Sequence, residues 1–313
     1  MNKPPSVHPP GHALLRVSHV DRKSTVTAAF ATSPMKFLIP RPRGASVAAF
    51  TTNFGGGMVA GDTTRLEIQL DPDTRCLVGS QASTKIYRNP SLRPCGHRTV
   101  AHVGPRSLLV FAPDSVQAFA ESTYLQHQSF HLDTDAGLVL VDWMSAGRSA
   151  RGERWAFGEF HSRNEVYLGN DLIFVDSLRL KAIDGPLGAP FKTGRFNCIA
   201  MVALFGAPLR ETTLNLCGQA SRQPVSRRPM EGVGPPTPPY THPPRLHREA
   251  PVSAVPTKGA PPSQSVVWSI SPHPQGAVLR VAGADVEPVY HWIRDQLQFL
   301  QSVLGEAPWA RRW

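Results

Sequence analysis

Apolar residues fall at every second position in segment after segment of this chain, and a period of two is the rhythm of a β-strand with one buried face. Arg65–Leu70 sets Leu66, Ile68 and Leu70 on one side. Val267–Ile270 and Ala277–Val281 repeat the pattern with Trp268, Ile270, Ala277, Leu279 and Val281. Glu165–Leu168 and Leu172–Val175 flank Gly169-Asn-Asp171, whose residues tolerate positive φ, so a hairpin is expected there. Leu108–Phe111 and Gly137–Val141 are apolar on both faces and predict central strands. The expected fold class is all-β: a large multi-stranded body of the β-sandwich or β-helix kind, with a few short helices. One helix lies near the C-terminus. Asp285 is its expected N-cap, Glu287 and Pro288 suit its first turn, Tyr290, Ile293, Leu297, Leu300 and Leu304 form its apolar stripe, and Gly305 ends it.

The 313 residues, 41 % of them apolar, suffice for a real core. Residues 1–11 read as a flexible N-terminus and 12–313 as one domain. A proline-rich insertion interrupts that domain at 221–262, where a dozen prolines and few large apolar residues cannot offset the entropy of ordering. No apolar run approaches the roughly 20 residues that span a bilayer, and the N-terminus does not read as a signal peptide. Cys76, Cys95, Cys198 and Cys217 lie far apart, which favours free thiols. A cytoplasmic location and no membrane partner are therefore expected. Lys and Arg outnumber Asp and Glu by 33 to 23, a balance that favours acidic partners. No nucleic-acid-binding motif accompanies it, so nucleic acid is not the expected partner.

Several chemistries fail on missing residues. Gly55-Gly-Gly57 lacks the lysine and the helix pattern of a phosphate loop. Neither His-Glu-x-x-His nor Gly-x-Ser-x-Gly occurs. His97 and His102 stand five apart beside Cys95, where a lone His or Cys is more often structural or exposed than a metal ligand, and a dedicated metal site there is the minor alternative.

Three segments remain. Phe54-Gly-Gly-Gly-Met-Val-Ala-Gly-Asp62 is a glycine-dense turn ending in a carboxylate that either caps the turn or points into a cavity. Gln81-Ala-Ser-Thr-Lys-Ile-Tyr-Arg88 places Thr84, Lys85, Tyr87 and Arg88 on a short strand, either an ordinary solvated strand or the wall of a polar channel. Asp142 to Trp155 packs Glu153, Arg148, Arg151, Arg154 and two tryptophans into fourteen positions. Those residue types suit internal Arg–carboxylate pairing and a protein interface equally.

With Gly147-Arg-Ser-Ala-Arg-Gly-Glu153, Trp155 and Ser162-Arg-Asn-Glu-Val166 added, the ordered set resembles the urease accessory protein UreD family, also called UreH. The likeness runs from about His12 to Leu180 and resumes in the last strand, helix and Trp309–Trp313 tail. Phe54 departs from the proline that many relatives carry, and the proline-rich segment departs more. The resemblance implies a predominantly β, non-enzymatic metallochaperone scaffold. Such a scaffold binds UreF and the GTPase UreG, docks on urease apoprotein, and helps carry nickel to an active site completed by a carbamylated lysine. Nickel would be held transiently, since full Cys/His ligation would not release it. The residues expected to line a passage or touch the metal are Asp62, Thr84, Asp142 and Glu165, with Glu153 beside them. Lys85, Tyr87, Arg88, Arg148, Arg151, Arg154 and Trp155 are expected in partner contact or in fixing the acidic loop. An adaptor that positions partners while nickel travels elsewhere, or a β-sheet enzyme using Asp142 or Glu153 as acid or base, are the alternatives.

Overall fold

The computed structural model describes residues 8–42, 44–91, 93–222 and 266–309. Of the expected flexible N-terminus, residues 1–7 lie outside the described residues. So does the proline-rich insertion from Gln223 onward; its first two expected positions, Ser221 and Arg222, instead end a helix.

The chain winds as a β-solenoid. β1 (His12–Val20), β2 (Lys23–Ala31), β3 (Met35–Leu38), β4 (Val47–Asn53) and the short β5 (Gly57–Met58) begin it. The next coil is β6 (Thr63–Leu70), β7 (Arg75–Ser80) and β8 (Thr84–Ile86); another is β9 (Cys95–Val103), β10 (Leu108–Phe111) and β11 (Val116–Ala118). β12 (Thr123–Leu132) and β13 (Gly137–Ser145) follow, then β14 (Glu159–Leu168), β15 (Asp171–Lys181) and β16 (Cys198–Gly206). α1 (Arg210–Arg222), β17 (Val266–His273), β18 (Gly276–Gly283), α2 (Val286–Gln296) and α3 (Leu300–Leu304) complete the described fold.

Corresponding strands of successive coils pair in parallel. Sheet A runs β15-β14-β12-β9-β6-β1-β2, and sheet B runs β17-β18-β16-β13-β10-β7-β4-β3. The third side is a strip in which β8 pairs with β5 and β11. The body is thus all-β with few helices, as its periodicity requires. The expected hairpin is the antiparallel β14–β15 pair.

The central strands of sheet B, β10, β13 and β16, are buried on both faces, which explains their doubly apolar sequences. Leu138 and Leu140 of β13 face Leu66, Ile68 and Phe130 inside the solenoid. Val139 and Val141 face Ile293, Leu297, Leu300 and Leu304 of the C-terminal helical segment. That segment is two helices rather than the one expected. Gln296 ends the first, the Leu297 N–H bonds to the carbonyls of Ile293 and Arg294, and Gly305 at φ +84° stops the second. Asp285 holds the N-cap position without a side-chain capping bond.

Candidate functional site

Parallel stacking puts like positions of β6, β9, β12 and β14 in rows across sheet A, and alternate rows point inward. Two inward rows are apolar: Ile68–Ala101–Phe130–Val166 and Leu70–Val103–Leu132–Leu168. Toward the other end of the same strands the rows turn polar, first Leu66–Thr99–Gln128–Asn164 and then Thr64–His97–Gln126–Ser162.

Buried polar groups must pair, and these do. His97 sits between the hydroxyls of Thr64 (2.8 Å) and Thr99 (3.0 Å). The Gln128 amide donates to Asn164 Oδ1 at 2.8 Å, and the Tyr124 hydroxyl donates to Gln126 Oε1 at 3.0 Å. Asp142 reaches across from β13 of the facing sheet. Its carboxylate accepts from Ser162 Oγ (2.6 Å), Asn164 Nδ2 (2.7 Å) and Gln126 Nε2 (3.1 Å). Burial raises its pKa above the ordinary aspartate value, against the pull of those three donors. Burial also pushes His97 down to about 4, so the imidazole is neutral at physiological pH.

Asp142 stands between two cavities. One, of about 90 Å³, is lined by Thr84, Ser80, Ser83, Asp114, Gln126 and Asp142, among others. The second, of about 580 Å³, lies between β15 and β17 and is lined by Asp142, Trp268, Met201, Asp176 and Arg280 among others. Asp176 and Arg280 form an ion pair there at 2.6 Å.

Of the five residues expected to line one passage, the fold therefore brings Thr84 and Asp142 to one cavity, and the other three lie elsewhere. Asp62 Oδ2 accepts the Val59 N–H at 2.9 Å, the turn-capping geometry. Glu165 is on the outer face of sheet A because its neighbours in the strand, Asn164 and Val166, point in. There it binds Arg163 Nε (2.7 Å), His127 (3.1 Å) and the Tyr167 hydroxyl (3.1 Å). Burial alone would raise its pKa, but these hydrogen bonds outweigh it and hold the carboxyl below the usual value. Glu153 is locked in a loop, where it pairs with Arg148 and accepts the Ala120 N–H at 2.6 Å. That loop turns at Gly147, whose φ of +102° and 2.9 Å approach of a Cβ to the Ala118 carbonyl exclude a side chain.

The residues expected in partner contact divide. Trp155 is buried and donates from Nε1 to the Phe196 carbonyl at 2.9 Å; Arg154 binds Asn197 and the carbonyls of Gly194 and Phe196. Arg148 lies over the Phe119 ring at 4.5 Å. These three fix the loop. Tyr87 donates to the Gly55 carbonyl at 2.7 Å, and Arg88 grips Glu121 at 2.7 and 3.0 Å. Lys85 and Arg151 are exposed.

Gln126, Gln128, Ser162, Asn164, Thr64 and His97 were not among the expected site residues. Each shares strand parity with an apolar residue that faces the core: Gln126 and Gln128 with Phe130, Ser162 and Asn164 with Val166. That parity is the signal that marks them as interior.

Among the described residues no cluster of three or more His, Cys, Asp or Glu could hold a metal, and no helix is long and apolar enough to cross a membrane. The class defined is a coiled β-scaffold whose interior is oily at one end and lined by paired hydroxyls, amides and the Asp142 and Asp114 carboxyls at the other. The sequence profile of the family described as UreD urease accessory protein matches residues 10–313. The urease accessory protein UreD of Sorangium cellulosum is 36 % identical over 303 residues, covering 97 % of this chain and 84 % of that protein. Urease accessory protein D of Arabidopsis thaliana is 33 % identical over 300 residues, covering 94 % of this chain and 98 % of the relative. The chain belongs to the UreD family of urease accessory proteins.

Proposed function

We propose that this protein is a cytoplasmic urease maturation factor, a non-enzymatic scaffold that joins UreF and UreG on urease apoprotein and conveys nickel toward the active site. Nickel is cargo in this reading, in transit and never tightly held. Kinship with urease accessory proteins supports the maturation role. The observation that favours transit is the position of Asp142, which lines two neighbouring cavities at once. Around it stand hydroxyl and amide oxygens, ligands that hold a divalent ion of this series more weakly than thiolate or imidazole does. Ionised Asp142 supplies the one full charge in its hydrogen-bonded cluster, enough to attract a dication and too little to trap it.

Replacing Asp142 by Leu, which fills the junction and removes the charge, tests the reading. The expected outcome is urease that co-purifies with this chain, UreF and UreG but contains several-fold less nickel. Unchanged nickel content overturns the passage. A second reading, the pure adaptor, is favoured by one observation: burial that raises the Asp142 pKa makes it a poorer cation ligand. Under that reading the same variant activates urease normally.

A further inference from the structure

The outer face of sheet A carries a pattern that the interior does not use. Parallel pairing brings Arg65, Arg98, His127 and Arg163 into one row across β6, β9, β12 and β14. In the adjacent row Gly96 stands between Thr63 and Leu125, and its missing side chain leaves a depression. The result is a groove of about 370 Å³ lined by Thr63, Gly96, Arg98, His127, His161 and Arg163.

The arginines in this row are presented rather than consumed. Arg65 and Arg163 are each held through Nε, at 2.7 Å, by Glu67 and Glu165 of their own strands, which leaves the terminal guanidinium nitrogens for a ligand. Arg98 is exposed and has no ion pair or side-chain hydrogen bond among the described residues. Planar donor pairs of this kind match carboxylates bidentately. Glu67, Glu159 and Glu165 are interleaved with the basic residues. A phosphodiester chain, charged at every step, would meet those carboxylates; a protein segment with spaced acidic side chains need not.

We propose that the groove and its arginine row form a docking site for an acidic segment of a partner protein, with Arg98 and Arg163 as the carboxylate anchors. The site is independent of whether nickel crosses the interior, since it lies on the opposite face of the same strands. The test is binding of a fluorescein-labelled oligoglutamate peptide to the full-length chain, followed by anisotropy at low and at moderate salt. Arg98→Glu combined with Arg163→Gln is expected to weaken binding by about tenfold or more, the scale of losing charge-assisted hydrogen bonds. Arg98→Gln alone is expected to have a smaller effect of the same sign. Arg294→Glu, which alters an exposed arginine on α2, is expected to leave affinity within about twofold, since screened surface charges act weakly at a distance. Equal loss from Arg294→Glu and the double variant would mean diffuse attraction to a basic chain and overturns the site. Tighter binding of a single-stranded RNA oligonucleotide than of the peptide, lost in the same double variant, overturns the protein-partner assignment. Unchanged circular dichroism and melting temperature in the variants assign any loss to the face itself.

Discussion

The two ends of sheet A's inner face are built from the same strands, yet they solve burial differently. At one end Ile68, Ala101, Phe130 and Val166 fill space with hydrocarbon. At the other, Thr64, Gln126, Ser162, Gln128 and Asn164 are also buried, with His97 half-buried among them, but they are held by hydrogen bonds to one another and to Asp142. The apolar end gains from each methylene removed from water. The polar end gains little net and is expensive to break, because an orphaned buried donor or acceptor keeps its full desolvation penalty. A stacked coil fits such an interior well, because each coil contributes a side chain to each row and neighbouring coils complete the pairing.

That contrast can be broken most severely at the apolar end. Phe130→Ala should cost about 3–5 kcal/mol, read from denaturant unfolding, because the coils above and below cannot collapse into the void. A loss under about 1 kcal/mol would mean that this end is not close-packed.

The next effect is set by pH. His97 has a folded pKa of about 4 against an ordinary 6.5, so the native state resists the proton that the unfolded chain accepts. Its contribution is complete above pH 6.5 and is lost as pH falls toward 4, up to about 3 kcal/mol for a shift of this size. His97→Gln should flatten unfolding free energy against pH across that window, and an unchanged slope would place the acid sensitivity elsewhere.

Asn164→Ala comes third, at about 1–3 kcal/mol, since it strips a donor from Asp142 and an acceptor from Gln128 together. Asn164→Asp should be worse than Ala, because it sets a second carboxylate against Asp142. Equal stability of the two would show that water fills the gap freely.

Glu165→Gln on the outer face should change stability by less than about 1 kcal/mol, as for other partly exposed ion pairs. Thermal melts of this variant beside Asn164→Ala compare adjacent residues of one strand on its two sides. If Glu165→Gln proves the more damaging, the assignment of inside and outside at β14 fails.

Much of this was legible in the residues. Period two specified strands, the Gly169–Asp171 turn specified the hairpin, and the doubly apolar β10 and β13 specified a layer covered on both sides. The same rule applied to Ser162–Val166 puts Asn164 on the inner face beside Val166 and Glu165 on the outer one, a distinction that charge alone does not make. Other choices could not have been made locally. Thr84 and Asp142 are 58 positions apart, on strands of different coils, and nothing in either segment states that they share a cavity. The break between α2 and α3 was equally hidden, since the apolar stripe continues through Leu297 and Leu300 without a helix-breaking residue.

By itself the sequence determined the strands, the face each presents, the C-terminal apolar stripe and, through its ordered motifs, the family. The tertiary structure alone decided that the strands coil in parallel and which polar side chains meet inside. Alternation is a property of neighbouring residues along one strand, whereas register between coils is set by distant segments competing to pair their buried groups.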